Sequence, residues 1–265
     1  MTDTNEQRVT VTVTDGVADV RLNRPDKRNA LDHAMFDGIF AAADQVANDP
    51  SVRVVVLSGV GKAFCAGLDT SLLSQMAGEP TAEHRGVFRN LRVDAPRAVR
   101  VWTELSVPVI AAVHGVAMGG GIQLALGADF RIVAPDAQLG ALEMRWGIIP
   151  DMGGTQLLPR IVGPDQAKLL MMTARTVSGE EALRIGLATQ VADDPYAAAH
   201  DLARELALRN PDGLVAIKRL VTIAQDLPFA EGMQQEYDLA GPVIGTPNQR
   251  EAVVANLEGR APRFG

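Results

Sequence analysis

Apolar and polar residues alternate strictly at the start of the chain, in Val9-Thr10-Val11-Thr12-Val13-Thr14, and a second run over Val17–Leu22 follows Asp15-Gly16. A period of two predicts half-buried strands, and Asp-Gly tolerates the positive φ angles of a tight hairpin turn. Over residues 29–48 the spacing becomes helical, with Leu31, Met35, Ile39 and Val46 among the apolar positions and Pro50 beyond the end. Continuous apolar runs at 52–57 and 107–113 predict buried strands. The first leads through 59–63 into Phe64-Cys65-Ala66-Gly67-Leu68-Asp69, and the second into Gly115-Val116-Ala117-Met118-Gly119-Gly120-Gly121. Each glycine stretch precedes an apolar helical segment, near 71–76 and up to Leu126, and a further strand is expected at Phe130–Val133. Between them, residues 77–100 are charged and interrupted by Gly78, Pro80 and Pro96, which predicts a mobile loop plus helix able to close over a site. Ser178-Gly179-Glu180-Glu181 has the form of a capping box and starts a helix to about Ile185. From Tyr196 the pattern is helical only: 196–209, Pro211–Ala224, and a helix capped by Thr246 with Pro247 in first position.

Recurring strand-then-helix units argue for an α/β fold. The change at Tyr196 divides the chain into an α/β core, 1–195, and a helical region, 196–265. With 265 residues, 47% apolar, the chain can bury a large core. A net charge of −7 without a long basic run argues against nucleic acid as partner, although a local basic patch can still hold an anion. Cys65 is the single cysteine, so no internal disulfide forms and a reducing compartment fits. Residues 1–7 lack the plan of a signal peptide, and no apolar run approaches the roughly 20 residues that cross a bilayer. A soluble cytoplasmic protein is expected.

The glycine stretches carry the chemistry. Glycine at a strand-to-helix junction allows a tight turn and leaves amide N–H groups uncovered, and a helix start adds unpaired donors and a positive dipole end. Two such loops together can hold one developing negative oxygen. Phosphate loops are excluded: Gly61-Lys62-Ala63 lacks the P-loop hydroxyl and glycine spacing, and Gly119–Gly121 lacks the third dinucleotide-binding glycine. There is no Gly-x-Ser-x-Gly elbow. Nothing near Cys65 activates a thiol, so a small core-facing residue is expected there. His33, His84, His114 and His200 lack metal-ligand spacing, and no metal site is expected. Glu143 and Asp151 bracket Met144-Arg145-Trp146-Gly147-Ile148-Ile149-Pro150. Acids beside such a stretch are either desolvated acid–base groups with raised pKa or solvated loop residues and caps.

Leu22-Asn23-Arg24-Pro25, Asn29-Ala30-Leu31, Ala63-Phe64-Cys65-Ala66-Gly67-Leu68-Asp69, Pro108-Val109-Ile110-Ala111-Ala112-Val113, Gly119-Gly120-Gly121 and Pro150-Asp151-Met152-Gly153-Gly154-Thr155 occur in this order. Over nearly its whole length the chain thereby resembles the crotonases, the enoyl-CoA hydratase/isomerase superfamily. The resemblance implies a spiral of ββα units, a C-terminal helical region that mediates trimer formation, often in paired trimers, and acyl-CoA thioester substrates. Coenzyme A then enters as part of the substrate and no separate cofactor is expected. The two oxyanion donors fall on the backbone N–H of Leu68 and Gly120. Adenine and pantetheine are expected along Ala66, Leu68, Asp69 and Thr70, with Lys27 and Arg28 as partners for phosphate. Family hydratases carry glutamates at the positions of Gln123 and Glu143, and here the first is an amide, which neither takes up nor supplies a proton at neutral pH. Asp151 stands where dienoyl-CoA isomerases of the family carry an aspartate; it is either an acid–base partner or the cap of the following turn. The implied catalytic set is Glu143, Asp151 and Gln123, with double-bond isomerisation slightly preferred and hydration or a silent acyl-CoA binder as alternatives.

Overall fold

The structure, a computed structural model, describes residues 7–76 and 82–265, with side chains described outside 76–92. Strands β1 (Val9–Thr14) and β2 (Val17–Leu22) form the expected antiparallel hairpin, with Asp15 and Gly16 at φ of 50° and 79° in its turn. Then follow β3 (Val54–Gly59), β4 (Val109–Val113), β5 (Val116–Met118), β6 (Phe130–Val133), β7 (Gln138–Gly140), β8 (Val177–Ser178) and β9 (Gln190–Val191). One sheet runs β1-β2-β3-β4-β6-β9 and is parallel from β2 onward; a second, smaller sheet runs β5-β7-β8. Every residue of β3 and β4 is buried, which is why their sequences read as continuous apolar runs.

Helices α1 (His33–Ala47), α2 (Thr70–Met76), α3 (Ala82–Thr103) and α4 (Gly120–Leu126) are followed by α5 (Gly154–Val162), α6 (Pro164–Thr173) and α7 (Gly179–Arg184). The helical region consists of α8 (Pro195–Ala207), α9 (Pro211–Ala224), α10 (Phe229–Val243) and α11 (Pro247–Glu258). β4, β5 and α4 make one ββα unit, and β6, β7 and α5 another. In a third, the Cys65↔Ala117 bridge stands in for the second strand between β3 and α2. The spiral architecture is therefore present.

The segment expected as a mobile loop with a helix is one continuous helix from Ala82, with Ala95, Ala98, Val99 and Trp102 in the core; residues 77–81 lie outside the described residues. Helix α1 starts at His33 rather than near Asn29, because Asp32 is its cap, accepting from Met35 N at 2.7 Å. Ser178 caps α7 through Glu181 N at 3.2 Å as expected, but the Glu181 carboxylate pairs with Arg175 instead of closing the box.

The two faces of the large sheet are covered differently. Alternating strand residues such as Val20, Leu57 and Ala111 face α1, α3 and α4, whereas Val17, Val54, Val56, Ile110 and Ala112 face Ala199 and Ala203 of α8. Tyr196 Oη donates to Asp19 at 2.7 Å and fixes α8 on β2. Lys218 Nζ of α9 donates to Asp129 Oδ2 at 2.9 Å and to the Val107 carbonyl at 2.9 Å. Helices α9 and α10 have no buried residue, and Phe229, Tyr237, Ile244 and Leu257 of the tail are exposed. Among the described residues no helix is long and apolar enough to cross a membrane.

Candidate active site

The loop after β3 is held by a side chain from the preceding motif. Asn29 is buried in a left-handed conformation (φ 56°) and its Nδ2 donates to the carbonyls of Val60, Ala63 and Phe64 at 3.0, 2.8 and 3.2 Å. Asn29 Oδ1 accepts from Arg24 N at 2.8 Å. Arg24 Nη1 reaches Asp69 Oδ2 at 2.5 Å, and Ser71 N donates to Asp69 Oδ1 at 2.8 Å. Burial pushes the Asp69 carboxyl up, but its hydrogen bonds from Ser71 and Arg24 and the Arg24 charge outweigh that, leaving it at about 2. The Asp69 N–H donates to the Leu31 carbonyl and its own carbonyl accepts from Leu72. Asp69, expected along the CoA, is thus engaged at every polar group and acts as a brace.

The two glycine loops touch backbone to backbone. Cys65 N donates to Val116 O, and Met118 N to Cys65 O, at 3.0 and 3.1 Å. A Cβ on Gly67 would stand 2.4 Å from Met118 O, and one on Gly121 would stand 2.2 Å from Cys65 O, so only glycine permits this approach. Leu31 pairs around Leu68 through Leu31 N to Gly67 O and Asp69 N to Leu31 O, which turns the Leu68 N–H away from Leu31. Gly120 is the first residue of α4, where an N–H has no intrahelical partner. Among the described residues neither N–H donates to a protein acceptor.

Glu143 opens a 3₁₀ turn, Glu143–Trp146, and is buried. A Cβ on Gly119 would lie 3.5 Å from Glu143 Oε1, which places the carboxylate beside the second loop. Gln123 Nε2 donates to Oε1 at 2.6 Å, while Oε2 is buried without a partner among the described residues. Burial raises the Glu143 pKa above its ordinary 4.5; its own backbone N–H and Gln123 pull it back, and the Asp151 charge adds to the rise. Gln123 is buried on α4, and its Oε1 accepts from Met152 N and Gly154 N, both at 2.9 Å. It therefore orients the carboxylate and also satisfies donors at the start of α5.

The structure separates the two acids. Glu143 is desolvated, whereas Asp151 is exposed, as are Met144, Trp146 and Ile149 between them. Lys27 and Arg28 are exposed in a 3₁₀ turn beside the first loop, where Ala66 N donates to Arg28 O at 2.9 Å. Thr70 is exposed at the start of α2. Cys65 is buried, its thiol pushed up to about 12 by burial, and it donates to Asn29 O, a core residue as expected. His114 Nε2 lies 2.9 Å from Gly61 O. Among the described residues no cluster of His, Cys, Asp and Glu could hold a metal.

A family model described as enoyl-CoA hydratase/isomerase matches residues 12–265. The chain belongs to the enoyl-CoA hydratase/isomerase family. It is 33% identical to (E)-benzylidenesuccinyl-CoA hydratase of Thauera aromatica, over 97% of this chain and 98% of that one. It is 35% identical to 1,2-epoxyphenylacetyl-CoA isomerase of Escherichia coli, over 94% and 95%. A crystal structure of an enoyl-CoA hydratase from Bacillus anthracis superposes with a TM-score of 0.89 at 34% identity, covering 97% of this chain and 99% of that one. The crotonase fold expected from the motifs is the fold of this family enzyme. The motif residues Arg24 and Asn29 carried the resemblance without an assigned role; in the structure they brace the first glycine loop. The signal was available in an asparagine seven residues after the end of β2.

Proposed function

We propose that this family enzyme moves a double bond within an acyl-CoA thioester, with Glu143 as the proton-transferring group and the N–H groups of Leu68 and Gly120 as the oxyanion donors. The observation that carries the reading is a buried carboxylate with one oxygen tied to Gln123 and the other unpartnered among the described residues, beside two amides that donate to no described acceptor. Glu143 Oε2 takes a proton from carbon next to the conjugated system, the negative charge passes to the thioester oxygen, and the same carboxyl, after exchange with solvent, delivers a proton at the other end. Desolvation makes the carboxylate a stronger base than in water. Each preorganised donor contributes about 2.7–4 kcal/mol to such a transition state.

Gln123 is the reason for placing isomerisation ahead of hydration. Its oxygen already accepts two N–H groups and one amide hydrogen is on Glu143. One hydrogen remains for a water, and no second base is present on that side chain. Relatives named as hydratases and as an isomerase both act on CoA esters by name, which supports the substrate class. Lys27 and Arg28 stand ready for the CoA phosphates, with Ala66 and Thr70 beside the pantetheine path, and no cofactor beyond the substrate's own CoA is needed. The exposed apolar residues of α9 to α11 support assembly as a trimer or dimer of trimers; a monomer mass in light scattering at micromolar protein would contradict this.

The test is a panel of enoyl-CoA and dienoyl-CoA esters followed by mass and ultraviolet absorbance. Isomerisation shifts absorbance at constant mass. Water addition as the main outcome would establish the alternative, hydration, and binding without turnover would establish a silent binder.

A further inference from the structure

A second cleft lies at the carboxyl ends of β2, β3 and β4, on the sheet face that α8 covers. By strand alternation Asp19 and Arg21 continue the row of Val17, Ser58 that of Val54 and Val56, and His114 that of Ile110 and Ala112. The cleft holds about 400 Å³ and is lined by Arg21, Ser58, His114, Asp193, Asp194 and Tyr196, together with adjoining loop backbone. That volume suits a small ligand, and crevices outside the carboxyl ends of parallel strands are where open α/β sheets bind theirs. Glu143 and the glycine loops belong to the other side: the residues against Gly120, Leu31 and Met152, sit in the opposite core cluster.

Among the described residues, Ser58 Oγ and Arg21 Nε are buried without a hydrogen-bond partner. Ser58 is 1% exposed, and among the described residues its hydroxyl has no hydrogen-bond partner. A buried hydroxyl left unpaired is costly, and an alanine in its place would avoid the cost. Arg21 makes no ion pair among the described residues, and its guanidinium lies 5.0 Å from the centre of the Tyr196 ring. Asp19, its neighbour along β2, is instead held by the Tyr196 hydroxyl at 2.7 Å and faces His200 at 3.6 Å. Burial and then Asp19 push the Tyr196 phenol up to about 12, so that hydroxyl stays a donor to Asp19 Oδ2, while Asp19 Oδ1 has no hydrogen-bond partner among the described residues. The His114 nitrogen facing the Gly61 carbonyl must be a donor, which leaves the other ring nitrogen as an acceptor in the neutral ring. Asp193 and Asp194 supply carboxylates on the same wall, with Asp194 Oδ1 also capping α8 through Ala197 N at 3.0 Å.

Donors at Arg21 and Ser58 and acceptors at Asp193, Asp194 and His114 line the same cleft. A bare anion would meet two carboxylates, and a bare cation would meet a guanidinium. We propose that this cleft is a second ligand site that takes a small α-amino or α-hydroxy acid, its carboxylate on Arg21 and Ser58 and its donor group toward Asp193 and Asp194.

The test is isothermal titration of the full chain with L-serine and with L-lactate, beside acetate and methylamine as half-ligands. Saturable millimolar binding of at least one of the two acids is expected, with both half-ligands weaker by about tenfold or more. Ser58→Ala should weaken the binding by about tenfold while leaving the unfolding midpoint unchanged or raised. Arg21→Lys, which keeps the charge and loses the forked donors, should weaken it in the same direction. The proposal is overturned by any of four results: no saturable binding of either acid, acetate or methylamine binding as tightly, wild-type affinity in Ser58→Ala, or displacement of the acid by coenzyme A, which would make the cleft part of the CoA site.

Discussion

Asp69 and Glu143 sit in the two regions that meet around the glycine loops, and both are almost wholly buried, at 8% and 6% exposure. Their protons are nevertheless driven opposite ways. Around Asp69 the loop region offers Arg24, the Ser71 N–H and a helix start, so the carboxylate is satisfied and stays ionised down to about 2. Around Glu143 the second region offers only the Gln123 amide hydrogen besides the residue's own backbone N–H, and among the described residues Oε2 has no hydrogen-bond partner, so burial wins and the pKa rises. Burial alone sets neither outcome; the number of donors supplied to each carboxylate does. A carboxylate with both oxygens engaged is a brace, and one with an oxygen left over has something to give a substrate.

Removing the spare lone pair has the largest expected effect. Glu143→Gln should lower turnover by about 10²–10⁴-fold with little change in CoA binding. Because the native state disfavours the charged form of Glu143, folded stability is lost as pH rises from the ordinary 4.5 through the raised value. The same substitution should therefore raise the unfolding midpoint at neutral pH, measured by thermal or urea denaturation. A variant that lost both activity and stability would place Glu143 among the braces.

Breaking the brace comes next. Asp69→Ala leaves the Arg24 guanidinium with Asp32, at 3.3 Å, as its one carboxylate among the described residues and with the Ala30 carbonyl at 3.2 Å, and should cost about 3 kcal/mol. Since the Asp69 value lies below the ordinary 3.8, its stabilisation is present above that pH and lost as pH falls toward about 2. Urea midpoints of wild type and variant should therefore converge in acid, and a constant gap down to the lowest pH would break the assignment. Gln123→Glu sharpens the comparison further, by placing a second carboxylate at the 2.6 Å contact. The pair must then share a proton at neutral pH, and the ratio of hydrated to isomerised product should rise by about tenfold or more. An unchanged ratio would show that Gln123 does not decide the reaction. Asp151→Asn is expected to be the smallest: it removes only a raising charge, so the acid limb of kcat/KM should move to lower pH with turnover within about threefold. A larger loss would make Asp151 a proton-transfer partner.

The parts of this arrangement that were legible in the sequence are those written in the backbone. The glycine stretches announce tight turns with uncovered amides, and the Asp15-Gly16 turn and the apolar runs of β3 and β4 follow from period and burial; that Gly67 and Gly121 let the two loops touch is seen only in the structure. The meeting of Gln123 with Glu143 is a contact across α4 and a 3₁₀ turn that no local period encodes; only the family resemblance brought those positions together. The pairing of Arg24 with Asp69, 45 residues apart, was marked neither by local period nor by the resemblance. Asp151 looked equivalent to Glu143 from its apolar surroundings, yet Met144, Trp146 and Ile149 are exposed and leave it solvated. Helix α10 escaped notice because it buries nothing on its own chain and carries Pro242 inside, so neither amphipathic period nor propensity marked it.

The central claim is that one buried carboxylate moves a proton beneath two backbone donors without adding water. Incubating the enzyme with an unsaturated acyl-CoA ester in heavy water and reading the product by mass spectrometry tests it most directly. The account predicts deuterium at the α or γ carbon of an isomerised ester with no gain of water, and loss of that label in Glu143→Gln. Efficient formation of a 3-hydroxyacyl product that survives Asp151→Asn would contradict it.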